Sequence, residues 1–255
     1  MRHHPLSAGP SSAGASRRGG PTPAGQRPGP ALAAIAVLAG CSLPADRHAI
    51  LGAGGYGYAA DTVEVVADVR VDELRIRQVR ITSAECALGH VEHLELDGPI
   101  GPDATDQLDR LLSGTSLCRT PDGRTIATAV YLNSRGGSLF HGMLIADVLR
   151  YHEVETIVLG GQLCASACAV AFLGGVHRTI LGDGRLLFHA PYTESPDGIA
   201  CARPDQADAL RSHFVTFLGP ETGAYVFDRA MRHCSETEGW LVDAPTAHRL
   251  AITTR

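Results

Sequence analysis

Leu163-Cys164-Ala165-Ser166-Ala167-Cys168-Ala169 sets one serine among small residues, where an apolar strand gives way to an apolar helix. The strand is Thr156-Ile157-Val158-Leu159, and the helix is expected from Ala167 to Leu173. Small neighbours let the chain turn tightly, and the first amides of a helix aim their donors at whatever the serine holds. Downstream, His189 in Phe188-His189-Ala190-Pro191 ends a second apolar strand, Arg185-Leu186-Leu187-Phe188. Upstream, Tyr131-Leu132-Asn133-Ser134-Arg135-Gly136-Gly137-Ser138 puts a glycine turn just after a third strand. Nucleophile, base and a glycine turn able to hold an oxyanion are the groups that acyl transfer requires. Serine in an alanine-rich segment commonly serves close packing, and a lone histidine at a strand end is commonly structural. The coincidence of the three singles out a site.

The surrounding pattern alternates strand and helix at short intervals, as parallel βαβ units do. His93 to Ile100 reads as a short strand and turn, and Asp103 to Ser113 as a helix with Leu108, Leu111 and Leu112 on one side. Ile126 to Leu132 is a buried strand, and Leu139 to Tyr151 a helix whose Leu139, Met143, Ala146 and Leu149 share a face. Arg178 to Leu181 and Arg185 to His189 follow as strands. Residues 62–82 alternate Val, Leu and Ile as one or two strands, residues 193–204 read as loop, and Asp205 to Leu218 as helix.

Residues 94 to about 192 resemble the ClpP/crotonase superfamily, in its ClpP-like serine protease branch. Asn133-Ser134-Arg135-Gly136-Gly137-Ser138 is similar to that family's N-S-P-G-G turn, with Arg135 in place of the proline. Ala165-Ser166-Ala167 is similar to its nucleophile turn, His189-Ala190-Pro191 to its H-Q-P, and Asp243-Ala244-Pro245-Thr246-Ala247 to a late segment that begins a short helix. The resemblance implies an α/β fold of repeated ββα units with a parallel sheet. It further implies a Ser166 nucleophile, a His189 base, and an oxyanion hole from the N–H groups of Gly137 and Ala167. A peptide or protein substrate and a homo-oligomer are implied as well. The family's acid precedes the late segment, and in this chain its slot falls on Gly239, leaving Glu238, Glu236 as the alternative, or the more distant Asp228.

Composition narrows the chemistry. With 255 residues and 44% hydrophobic content, the chain can bury one sizeable core. A net charge of −5 and no basic stripe exclude a nucleic-acid footprint. All 22 Lys+Arg positions are arginine, so a Ser–Lys dyad and Schiff-base chemistry are both excluded. Histidine is left as the base of suitable pKa. No Cys-x-x-Cys pair is present, and His90-Val91-Glu92-His93 holds the one close histidine pair beyond the leader, so neither metal nor cofactor is expected. Gly52-x-Gly54 lacks the flanking strand and helix of a nucleotide turn.

Before the domain, residues 1–29 are rich in Gly, Pro, Ser and Ala, with Arg17, Arg18 and Arg27 and no acid. Ala31 to Cys41 then runs apolar, too short to span a bilayer and suited to a signal-peptide core. Leu38-Ala39-Gly40-Cys41 resembles a lipobox, the alternatives being an ordinary secretory signal with a chance cysteine or an uncleaved anchor. The expected organisation is therefore a signal peptide over 1–41 with lipidation at Cys41, a linker over 42–60, and the α/β domain over 61–255, its core at 91–192. That places the protein in the periplasm or cell envelope, held to the membrane by an N-terminal lipid anchor. Cys86, Cys118, Cys164, Cys168, Cys201 and Cys234 remain, an even set that fits a disulfide framework in an exported chain. Six cysteines allow 15 connectivities; in one of them Cys86–Cys118 brackets the first βα unit and Cys201–Cys234 closes the region after the histidine.

Three functions stay open on the sequence. One is an exported serine peptidase working through an acyl-enzyme; another is an inactive envelope binding or scaffold protein of the same fold. The third is a crotonase-type acyl-CoA enzyme, disfavoured by export and by the Ser/His pair.

Overall fold

In the computed structural model the described residues are 63–255, and the expected signal segment, Cys41 and the linker lie outside them. The alternation of residues 62–82 resolves into two strands, β1 (Val63–Val71) and β2 (Leu74–Thr82), joined by a turn in which Asp72 has φ 53°. β2 pairs with β3 (His90–Asp97), again antiparallel. From β3 onward the large sheet is parallel: β6 (Ala129–Asn133), β7 (Glu155–Val158) and β9 (His177–Ile180) complete the order β1-β2-β3-β6-β7-β9. Between β3 and β6, β4 (Cys118–Arg119) and β5 (Thr125–Ile126) form a small hairpin, so the expected strand from Ile126 is interrupted before Ala129.

The connections reverse direction in a regular way. After β7, a turn at Gly160-Gly161 leads to β8 (Leu163–Ala165) and then to helix α3 (Ala167–Phe172). After β9, the chain turns into β10 (Arg185–Phe188), and α4 (Asp208–Leu218) follows further on. β6 leads through a bridge at Ser134 into α2 (Leu139–Tyr151), and β3 through a bridge at Ile100 into α1 (Ala104–Ser113). These are repeated ββα units in a mixed α/β fold. Their second strands form a second ladder: Ile100 on Gly137, Ser134 on Cys164, and β8 parallel to β10, with β13 (Trp240–Asp243) antiparallel on the outer side. Ser166 therefore follows β8, and the strand Thr156–Leu159 expected to lead into it is one strand removed. A three-residue strand is too short to show a period of two.

One face of the large sheet buries Leu94, Leu96, Val130, Leu132, Val158 and Ile180 against Leu108 and Leu112 of α1, Ile145 and Leu149 of α2, and all of α3. α2 and α3 approach through small residues. A Cβ on Gly142 would lie 2.9 Å from the Ala167 Cβ, and one on Gly174 would lie 2.6 Å from the Ala146 Cα. Residues 193–204, expected as loop, hold a hairpin of β11 (Tyr192–Ser195) and β12 (Gly198–Cys201), then a 3-10 turn at Pro204–Gln206 that delays α4 to Asp208. Helix α5 (Pro220–Ala230) packs on α4, with Gly223 against the Phe214 backbone. The short helix expected after Ala244-Pro245 is α6 (Ala244–Arg249), capped by Asp243, which accepts from the Thr246 N–H at 2.9 Å.

The cysteines pair as Cys86–Cys118, Cys164–Cys168 and Cys201–Cys234, with Cα–Cα separations of 5.3, 5.1 and 5.6 Å. No helix among the described residues is long and apolar enough to cross a membrane.

The opposite sheet face carries a buried charge. Glu95, 2% exposed, pairs with Arg77 at 2.5 Å. Burial raises its carboxyl to about 7, against the pull of Arg77. The folded chain thus keeps a proton that the unfolded chain loses near 4.5. This group's contribution to stability falls as pH rises between those two values. Glu95→Gln is expected to flatten that part of the melting-temperature profile, measured from pH 5 to pH 8.

Candidate active site

The second ladder sets the site. Parallel pairing of Ile100 with Gly137 uses the Gly136 carbonyl, which accepts from Ile100 N–H at 2.7 Å, and the Ser138 N–H, which donates to Ile100 O at 2.9 Å. In a parallel ladder the intervening residue directs its own amide the other way, so the Gly137 N–H points away from Ile100. Gly137 has φ 139°, and the Ile100 carbonyl stands where a Cβ would be. Gly136, at φ 100°, lies against the serine: a Cβ there would be 2.7 Å from Ser166 Cβ and 2.7 Å from Ala165 O. Only glycine lets this turn lie so close to Ser166.

Ser166 sits at φ 56° and ψ −122°, a conformation rare for a residue with a side chain. It is held there by neighbours on both sides. Its N–H donates to Leu187 O at 2.8 Å, and its carbonyl accepts from Val170 N–H at 3.1 Å in the first turn of α3. The Ala167 N–H is among the helix's first amides, which have no partner within the helix.

His189 follows β10 directly and is 8% exposed. Its Nδ1 lies 2.7 Å from the Ala190 carbonyl, which can only accept, so Nδ1 donates there and, in the neutral ring, Nε2 keeps its lone pair. Nε2 is buried and has no hydrogen-bond partner among the described residues. Ser166, His189 and Gly137 line one groove of about 590 Å³, together with Arg135, Tyr192 and Glu194. Beneath it lies an apolar recess of about 20 Å³ bounded by Ser166, His189, Leu139, Val170, Leu210 and Phe214.

Among the described side chains, which do not include that of Glu236, no acid is brought to this site. Glu236–Glu238 is a 3-10 turn, the Glu238 side chain is exposed, and Asp228 is exposed on α5. The antiparallel register of β10 with β13 pairs Phe188 with Trp240, so continuing it by one places Gly239 beside His189. A Cβ on Gly239 would run into the Leu187 side chain. Among the described side chains no carboxylate hydrogen-bonds His189; a backbone carbonyl does. That partner carries no sequence signal, because every residue has a carbonyl. Leu210 and Phe214 were likewise not foreseen at the site, since they come from a helix beyond the matched motifs. His213, their neighbour, is buried with Nε2 at 3.2 Å from Val170 O, and burial lowers its pKa.

Parts of the chain are similar to known proteins. Residues 122–201 match the family described as Clp protease, a span that includes Gly137, Ser166 and His189. The ATP-dependent Clp protease proteolytic subunit 1 of Thermobifida fusca is 35% identical over 104 residues, 38% of this chain and 46% of that protein. The subunit of the same name from Corynebacterium glutamicum is 35% identical over 99 residues, 37% and 48% of the two chains. A solved structure of the 1510-N membrane-bound stomatin-specific protease is similar at 17% identity with a TM-score of 0.48, over 63% of this chain and 75% of that one. The chain spans about half the length of the curated relatives it matches. Over residues 122–201 the chain is similar to the Clp protease family.

Proposed function

We propose that this protein is a serine peptidase that acts through an acyl-enzyme, with Ser166 as nucleophile and His189 as base. The observation that carries this is one groove lined by Ser166, His189 and Gly137, each at the end of a successive ββα unit's second strand. In the reaction, His189 Nε2 takes the Ser166 proton as Oγ attacks the scissile carbonyl, and later gives it to the leaving amine. The N–H groups of Gly137 and Ala167 receive the negative oxygen of the tetrahedral intermediate. The Ala190 carbonyl keeps the proton on Nδ1, the tautomer a base at Nε2 requires. As a neutral acceptor it stabilises the imidazolium less than a carboxylate would, which makes this a dyad. An oxidising compartment outside the cytoplasm belongs to the same proposal, supported by the three cysteine pairs.

That no described carboxylate hydrogen-bonds His189 favours a second reading, a binding protein that keeps the fold without turnover. Labelling of the full, oxidised chain with a fluorophosphonate separates the two. The peptidase reading expects covalent modification of Ser166, lost in Ser166→Ala and in His189→Ala. A folded chain that takes no label, or one labelled equally in both variants, sinks it.

A further inference from the structure

Two cysteines flank the serine symmetrically, and nothing in the peptidase chemistry calls for them. Cys164 lies in the middle of β8, fixed between Ser134 and Leu186. Cys168 is the second residue of α3. Both are fully buried, and they are bonded to each other across the turn that holds Ser166. The bridge ties the strand before the nucleophile to the helix after it, with the one strained residue of the site between its ends.

The three bridges differ in what they close. A disulfide restricts the unfolded chain more as its loop lengthens. Cys86–Cys118 and Cys201–Cys234 span 32 and 33 positions, whereas Cys164–Cys168 spans 4. By that measure the shortest loop contributes least to global stability, yet it is the one built into the site. A residue at φ 56° relaxes toward ordinary backbone unless its surroundings over-determine it. The Gly136-Gly137 turn presses on the serine from one side, and the hydrogen bond to Leu187 O holds it from another. The bridge fixes the remaining freedom, the distance from strand to helix.

We propose that Cys164–Cys168 is a positioning pair that clamps Ser166 in its reactive conformation, so that nucleophilic competence depends on this bridge being oxidised. The inference rests on the peptidase reading above. When a dithiol reductant opens the bridge, two electrons and two protons convert it to two thiols, and the reductant leaves as its own disulfide. Ser166 is then free to relax, and its Oγ loses its fixed place in the groove it shares with His189 and Gly137. Misplacement by about 1 Å costs on the order of 10²-fold in rate.

The test compares fluorophosphonate inactivation of the full oxidised chain with that of Cys164→Ala/Cys168→Ala and Cys86→Ala/Cys118→Ala. The expected result is that the first pair lowers the maximal inactivation rate at least tenfold, with half-saturating probe concentration unchanged and melting temperature little altered. The second pair lowers the melting temperature more and leaves the rate alone. Should Cys164→Ala/Cys168→Ala fail to fold, wild-type protein decides. Aliquots taken along a dithiothreitol titration are labelled and then alkylated, and label should be lost in step with the appearance of free Cys164 and Cys168 and return on reoxidation. Unchanged labelling with this bridge open overturns the clamp while leaving the peptidase intact. A wild-type chain that never labels overturns the peptidase reading, and the clamp with it.

Discussion

Gly137→Ala is expected to lower turnover and fluorophosphonate labelling by about 10²- to 10³-fold, the usual cost of one oxyanion donor. Two effects combine. At φ 139° a side chain is strained whatever the space around it, and here the Ile100 carbonyl already occupies the position of the new methyl. The turn must move, and the Gly137 N–H moves with it. Gly123→Ala supplies the control, because Gly123 also has a positive φ, 85°, with open space around it in the β4–β5 hairpin. It is expected to cost about 1 kcal/mol of stability and no activity. Equal losses of activity in both variants would remove the oxyanion role from Gly137.

Gly174→Val should give the largest loss of stability among single substitutions outside the site. The Gly174 Cα faces the backbone of Ala146 on α2, with Ala146 C at 2.7 Å from where a Cβ would stand. Backbone cannot step aside as a flexible side chain can, so α2 and α3 must separate. Overpacking of this kind costs about 3 kcal/mol, which for a chain of this size lowers the melting temperature by roughly 6–12 °C. Because α3 carries Ser166 at its start, labelling should fall even in the fraction that stays folded. A melting temperature within two or three degrees of wild type would show that the interface can yield.

Much of this was legible in the residues. Helix α2 and strand β10 fall where the apolar pattern puts them, since α2 buries one continuous face and β10 an unbroken apolar run, Leu186 to Phe188. The three groups of the groove were legible through small residues, which serve close approach and thus mark where backbone meets backbone. What stayed hidden lacks such a pattern. β8 is three residues long, and the β11–β12 hairpin is exposed along nearly its whole length, so neither shows an alternation of apolar and polar side chains. The shift of the acid's slot onto Gly239 was visible in the sequence. Its consequence, a histidine oriented by the carbonyl of the next residue, was not, because backbone acceptors are the same everywhere.

The ladder of bridges has one further consequence. Gly137, Ser166 and His189 each close a second strand, while α1, α2 and α3 end at Gly114, His152 and Leu173 after running away from that line. The proposed reactive groups therefore form a seam stitched across repeats at one rim, and the places where the chain can be lengthened lie at the other. Insertions at those far corners would change the protein's outline and its contacts without touching the seam, so elaboration and chemistry can vary independently in this architecture.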